Sequence, residues 1–446
     1  MSTFRVWAPD ASTVELIALE RRTPMAAEPG GWWSVDVREA HPGADYAFSL
    51  DGSDPLPDPR SRWQPAGVHG PSRVVDLGPF RWSDDEWTPP PLATGIVYEL
   101  HVGTFSPEGT FDGAIDRLDH LVDLGVTHVE LLPVAQFSGD RGWGYDGVDL
   151  YAVHEAYGGP PGLARLVDAC HARGLAVVMD VVYNHLGPAG NYLDRFGPYF
   201  TDRYRTPWGT AINFDDAGSD EVRAFVVDNA VMWLRDYHCD GLRLDAVHAI
   251  YDQSAVHLLE ELQTRVDALS AELGRALVLI AESDLNDPRV VTPRERGGFG
   301  LAAQWSDDFH HALHATLTGE RGGYYTDFDG LGDLATALGS VFVYDGRHSA
   351  YRGRRHGRPV GSLPTTAFLG YLQDHDQVGN RATGERSSHL LTVEQLEVGA
   401  ALVLLSPFVP MLFQGEEWGA RTPFLYFTDH DDPELADAVR TGRRAE

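Results

Sequence analysis

The chain has 446 residues, 43% of them apolar and 11% aromatic, enough for a substantial core and for two or three domains, or one large barrel with additions. With 35 basic and 66 acidic side chains the net charge is −31, which argues against nucleic acid or an anionic membrane as partner and suits a neutral ligand such as a sugar. No apolar run approaches the ~18 residues of a membrane helix, the start MSTFRVWAPD lacks a basic-then-apolar signal segment, and two cysteines alone, Cys170 and Cys239, read as buried thiols in a reducing cytosol.

Residues 1–88 read as short strands separated by turns: FRVWAP, VELIAL, GWWSVDV and ADYAFSL. In GWWSVDVR, Trp33, Val35 and Val37 alternate with Ser34, Asp36 and Arg38, which predicts a half-buried strand of a small β-sandwich. EWTPPPLATG then reads as a stiff linker.

Residues 89–446 change rhythm. Apolar strands IVYEL, HVELLPV, AVVMDVV, GLRLDAV, LVLIAES, LAAQWSD, AFLGYLQD and PMLFQGEE alternate with amphipathic helices or long loops. In one predicted helix Val222, Phe225, Val226, Ala230, Trp233 and Tyr237 form a single stripe. This α/β pattern predicts a (β/α)8 barrel of TIM type, with a long aromatic-rich insertion over about 183–219 after the third strand.

In such barrels chemistry sits where strands end. His101 follows the first strand; Asp180, Asn184 and His185 the third; Arg243 and Asp245 the fourth; Glu282 the fifth; His375 and Asp376 the seventh. In GLRLDAVH, ending at His248, period two puts Arg243 and Asp245 on one face of an apolar strand. Burying two charges is costly unless they pair or do chemistry. Asp245, Glu282 and Asp376 are three carboxyls at one mouth, and a pair flanking a glycosidic bond is the minimal apparatus for glycoside hydrolysis. Arg243 favours the ionised form of Asp245, as an attacking group needs. The run LVLIA before Glu282 predicts a desolvated acid. A structural ion pair is the bland alternative for Arg243 and Asp245.

His185 and His375 could bond sugar hydroxyls, or be structural. His375 and Asp376 can share one site only if their strand ends and the chain turns. Trp143, Tyr145 and Asp146, in the loop RGWGYDG, could form a flat platform for a sugar, or close the core. No Cys/His cluster has zinc spacing, and no phosphate loop or aspartate-rich calcium loop stands out, so neither metal nor cofactor is expected. DFHHALH is not read as a metal site, because adjacent histidines on a helix cannot share a face.

DVVYNH, GLRLDAVH, AESD and LQDHDQ resemble, in order, the four signature regions of the α-amylase superfamily, glycoside hydrolase family 13. The resemblance implies that Asp245 is the nucleophile, Glu282 the general acid/base and Asp376 the carboxylate gripping the reacting sugar. Arg243, His185 and His375 match supporting residues and Tyr145 the stacking tyrosine; His248 closes the second region. The N-terminal sandwich is similar to a carbohydrate-binding module. YELHVGTFSPEGTF, RGWGYDGVDLYAVHEAYGGP and DDFHHALH are similar to the members that cut the α-1,4 bond beside a terminal trehalose. The implied substrate is malto-oligosyltrehalose or a related α-glucan, and a malto-oligosyltrehalose synthase is implied as functional partner. Trp305, Asp307, Asp308, His310 and Gln377, beyond the sixth and seventh strands, are the candidates for holding the trehalose side. Two departures stand out: Asp374 where Asn is expected, and no sign of the usual further β-domain after the barrel. The enzymatic alternative is a glucan branching enzyme, and the non-enzymatic one a glycan-binding protein on an inactive barrel.

Overall fold

The computed structural model describes residues 2–430 and 432–445. Near the N-terminus, Ser2–Trp7, Trp32–Val37 and Ala26–Glu28 form one antiparallel sheet, and Arg21–Pro24, Val14–Ala18, Asp45–Leu50 and Ser72–Arg73 form another. Their inner faces meet through Phe4, Val6, Leu16 and Phe48, in a core that runs on into the barrel. The alternation expected in Trp32–Val37 is muted: Trp32 and Ser34 are half-buried as well. The Arg5 guanidinium, 4.1 Å from the Trp32 ring centroid, covers that second face.

The proline-rich stretch is not a free spacer. Before it, Trp82 stacks on His238 with ring centroids 3.8 Å apart. Trp87 stacks on His171 at 4.4 Å and donates its Nε1–H to Asp240 at 2.8 Å.

Eight parallel strands close a barrel: β1 (Val97–Leu100), β2 (His128–Leu131), β3 (Ala176–Val181), β4 (Gly241–Leu244), β5 (Val278–Ala281), β6 (Ala303–Trp305), β7 (Phe368–Gly370) and β8 (Val409–Phe413). Each is one of the runs named above. Period two sorts the interior into layers. Val97, Val178, Ile280, Ala303, Leu369 and Met411 pack as an apolar floor. One step up their strands stand Glu99, Asp180 and Arg243, with Glu130 beside Glu99 in register and Asp180 beside Arg243. The charges therefore lie inside the barrel, on the side where the strands end.

Outside, α1 (Gly159–His171), α2 (Ser219–Asp236), α3 (Leu258–Leu273), α4 (Asp307–Thr318) and α5 (Val393–Leu404) follow β2, β3, β4, β6 and β7, and α6 (Pro433–Ala445) comes after β8. The α2 stripe is buried as its spacing predicts, from Val222 to Trp233. Both thiols are buried and unbridged, Cys170 in α1 and Cys239 just before β4. Within the insertion, Phe200–Thr206 and Gly209–Ile212 pair as a hairpin whose tip carries the half-exposed Trp208. Among the described residues, no helix is long and apolar enough to cross a membrane.

Candidate active site

Arg243 is the hub. Its side chain is fully buried, and Nη1 donates to Asp180 Oδ2 and Asp245 Oδ1, both at 2.8 Å. Its Nη2 stands 3.6 Å from Glu282 Oε2. Beneath it lies the Trp305 ring, 4.4 Å from the guanidinium to the centroid. The strand accepts an arginine because two ion pairs and an aromatic face replace its water.

The chain turns sharply after Asp245. Ala246 has φ 39° and ψ 50°, a left-handed conformation costly for a residue with a Cβ. That turn aims the Ala246 N–H at Glu282 Oε2, 2.6 Å away. Asn184 donates to Asp245 Oδ2 at 2.7 Å and to its backbone oxygen at 2.8 Å.

The two carboxyls are driven apart. Burial pushes Asp245 up, but Arg243, His185 and the Asn184 hydrogen bond outweigh it, and Asp245 sits below its ordinary value. Burial pushes Glu282 up too; the charge of Asp245 adds to that, and together they prevail over Arg243, so Glu282 sits above its ordinary value. Asp180, the deepest of the three, is raised by burial to about 7 despite Arg243.

Around Asp245 opens a cavity of about 480 Å3. Of the residues named from sequence, Trp143, Tyr145, Asp146, His185, His375 and Asp376 line it with Asp245. Tyr145 donates its OH to Asp180 Oδ2 at 2.6 Å and stacks on His375 with centroids 5.0 Å apart. His185 bonds Asn184 through Nδ1 and the Tyr145 backbone oxygen through Nε2 at 3.0 Å. β7 ends at Gly370, and a short helix runs from His375 to Gly379, so His375 and Asp376 both reach the cavity. His375 Nδ1 lies 2.5 Å from Glu99 Oε1; burial works against its charge, yet Glu99 and Asp376 raise it to about 10.

Asp374 caps that helix, its Oδ1 accepting the Gln377 N–H at 2.7 Å. Burial, then Glu99, pushes its carboxyl well above the usual range. Aspartate and asparagine are both good caps, so the acid found where Asn is expected keeps the helix start.

The expected trehalose-side set separates. Asp307 is half-buried at the end of β6, accepts from the Tyr371 hydroxyl, and is held well above its usual range by burial and then by the charge of Glu282. Gln377 takes the Tyr324 hydroxyl on Oε1 at 2.9 Å, and His248 faces Glu282 from the turn after β4. The other three are corrected. Trp305 is 2% exposed and forms the floor under Arg243. Asp308 is buried, its Oδ2 taken by Asn286 Nδ2 and the Val343 and Tyr344 amides at 2.7–2.8 Å. His310 is buried against Tyr371 and bonds the Tyr325 hydroxyl at 2.9 Å. His101 likewise is buried, with Nε2 on the Gly142 oxygen at 2.9 Å.

Sequence reasoning passed over Trp208, which lines the cavity and stacks on His185 at 4.5 Å, and Asn380, Tyr426 and Arg443, which line it too. It also missed Glu99, although an acid inside VYEL is the same signal that singled out Arg243. Among the described residues no cluster of His, Cys, Asp and Glu could hold a metal.

Residues 78–206 match the family model of the alpha amylase catalytic domain. The malto-oligosyltrehalose trehalohydrolase of Arthrobacter ramosus is 56% identical over 99% of this chain and 78% of its own length. That of Saccharolobus solfataricus is 49% identical over all of this chain and 78% of its own. A solved Salmonella typhimurium protein named for alpha amylase superposes with a TM-score of 0.94 at 44% identity, over 99% of this chain and 76% of that one. The chain belongs to the malto-oligosyltrehalose trehalohydrolase family, within the α-amylase group.

Proposed function

We propose that this chain hydrolyses the α-1,4 bond next to the terminal trehalose of malto-oligosyltrehalose, with retention of configuration, and releases trehalose. The observation that carries the chemistry is the single Arg243 guanidinium shared by Asp245 and Glu282, whose protonation preferences are driven in opposite directions. Ionised Asp245 attacks the anomeric carbon and forms a glycosyl ester. Both Glu282 contacts fall on Oε2, so the proton belongs on Oε1 and passes to the departing O4 of trehalose. Glu282 then takes a proton from water as the water oxygen attacks the anomeric carbon; the ester bond breaks, Asp245 leaves as carboxylate and the glycan is freed. Asp376 and His375 hold hydroxyls of the reacting ring, and Tyr145 supports its face. The carboxyls of Asp245 and Glu282 are expected about 5–5.5 Å apart.

The trehalose specificity is supported by the malto-oligosyltrehalose trehalohydrolases this chain resembles, and in this reading Asp307, Gln377 and His248 recognise the disaccharide. Residues 1–88 are the sandwich and 89–446 the catalytic barrel in this reading; a cytoplasmic setting and a synthase supplying the trehalose-ended glucan complete it. The test is product analysis on maltotriosyltrehalose and maltopentaose. Trehalose released much faster than any product from maltopentaose is expected. Equal rates would leave a general glucan hydrolase, new α-1,6 branches on amylose a branching enzyme, and binding without turnover an inactive glycan-binding barrel.

A further inference from the structure

We propose that helix α6 is the closing wall of the pocket for the malto-oligosyl chain, and that Arg443 on it is a positioning residue for Asp376, acting through Asn380. The inference rests on the hydrolase reading above.

The side of the bond follows from the acid. The leaving trehalose must lie toward Glu282, on the β5 and β6 side. The cavity is walled by Asp245, Tyr145, His375 and Asp376, the groups that meet the reacting ring in the reading above, so it receives the glycan side of the cut. Helix α6 contributes Val439, Gly442 and Arg443 to those walls. They share the face that also carries Leu435 and Ala436, at helical spacing. That face is half-buried at Leu435, Ala436, Val439 and Arg443, and the other residues from Pro433 to Arg444 are exposed. The helix thus leans on the cavity mouth rather than sinking into the core.

Arg443 Nη2 donates to Asn380 Oδ1 at 2.8 Å, and Asn380 Nδ2 donates to Asp376 Oδ1 at 3.0 Å. A carboxamide has one accepting and one donating end. An arginine accepts nothing, so it fixes the Asn380 oxygen toward itself and the amide N–H toward Asp376. Without the cation the amide is free to flip and present an oxygen to a carboxylate, which repels it. The guanidinium itself lies 4.7 Å from the Tyr426 ring centroid, and Tyr426 donates to Asp146 at 3.2 Å, so the wall is tied to the loop after β2 as well.

Gly442 lines the same cavity. Glycine is a poor helix residue. A Cβ built on Gly442 meets nothing within 4 Å, so a side chain there would project into open space beside the cavity.

The test uses the full chain and α-maltotriosyl fluoride, which fills the glycan side and carries no trehalose. Arg443→Met, which keeps the stem but cannot donate, should lower kcat by about tenfold, the worth of one charge-assisted hydrogen bond, with the melting temperature unchanged. Arg443→Lys, which still donates to Asn380, should restore most of the rate. Asn380→Ala should match Arg443→Met, and the double variant should be no worse than either, because the two act in series. Gly442→Leu should raise KM with little change in kcat. Additive losses, a lysine variant as poor as methionine, an unaffected Arg443→Met, or an unmoved KM in Gly442→Leu would each overturn the proposal. Wild-type turnover of the fluoride without trehalose release from maltotriosyltrehalose would instead sink the functional reading and leave the wall standing.

Discussion

Replacing Arg243 by methionine keeps an apolar stem over Trp305 but removes the cation that Asp180 and Asp245 hold at 2.8 Å and Glu282 faces at 3.6 Å. An opposite charge at such range lowers a carboxyl by about 1–3 pKa units, or about 1.4–4 kcal/mol. With it gone, burial is opposed only by His185, the Asn184 hydrogen bond and His375, and the folded value of Asp245 is expected to pass from below the unfolded value to above it. The sign then reverses. In the wild type the contribution of Asp245 is present above its unfolded value and lost as pH falls through the folded one. In the variant its ionisation works against the fold as pH rises from about 4 upward. Breaking a buried pair costs about 3–5 kcal/mol near neutrality, and the melting gap to wild type should therefore widen between about pH 4 and 7. The assay is kcat/KM against pH. The acid limb should move up by about 1–3 pH units, because the nucleophile must lose its proton. An unmoved acid limb, with a melting gap that ignores pH, would refute the assignment of Arg243 as the group that keeps Asp245 ionised.

Asp245→Asn should retain its circular dichroism and lose on the order of 10^4 or more in rate, and a variant keeping a few per cent of activity would sink its role as nucleophile. Glu282→Gln should lose activity similarly yet recover with azide on substrates whose leaving group needs no proton; absence of rescue would make Glu282 a binding group. The wild-type profile should be a bell with its acid limb below the ordinary aspartate value and its alkaline limb above the ordinary glutamate value, as the pair is driven apart. Asp308→Ala should cost roughly 3 kcal/mol in denaturant melts, since it unpairs Asn286 and two backbone amides, and should leave the preference for trehalose-ended substrate unchanged.

Much of this molecule is local and so readable along the chain. Strand periodicity set Arg243 and Asp245 side by side, and the alternation of eight apolar runs with helices set Glu282 and Asp376 at corresponding strand ends. Those two facts bring the three carboxyls to one end of the barrel, where Asp245 and Asp376 line the cavity and Glu282 faces Arg243. Reading failed where the period changes. Beyond β6 the chain enters α4 at Asp307, and successive helical side chains point about 100° apart. Asp307 is therefore left beside Glu282 while Asp308 turns into the loop at Val343 and His310 into the Tyr325 packing, though all were grouped as one surface. Arg443 had no local sign at all, because an arginine on a helix with an exposed face reads as solvated. Only the path of the chain after β8 carries it back over the mouth to Asn380, 63 residues earlier. Sequence determines which side chains share a face within one element; which faces meet across elements is decided by packing of the whole chain, and the wall of this cavity is made of such meetings.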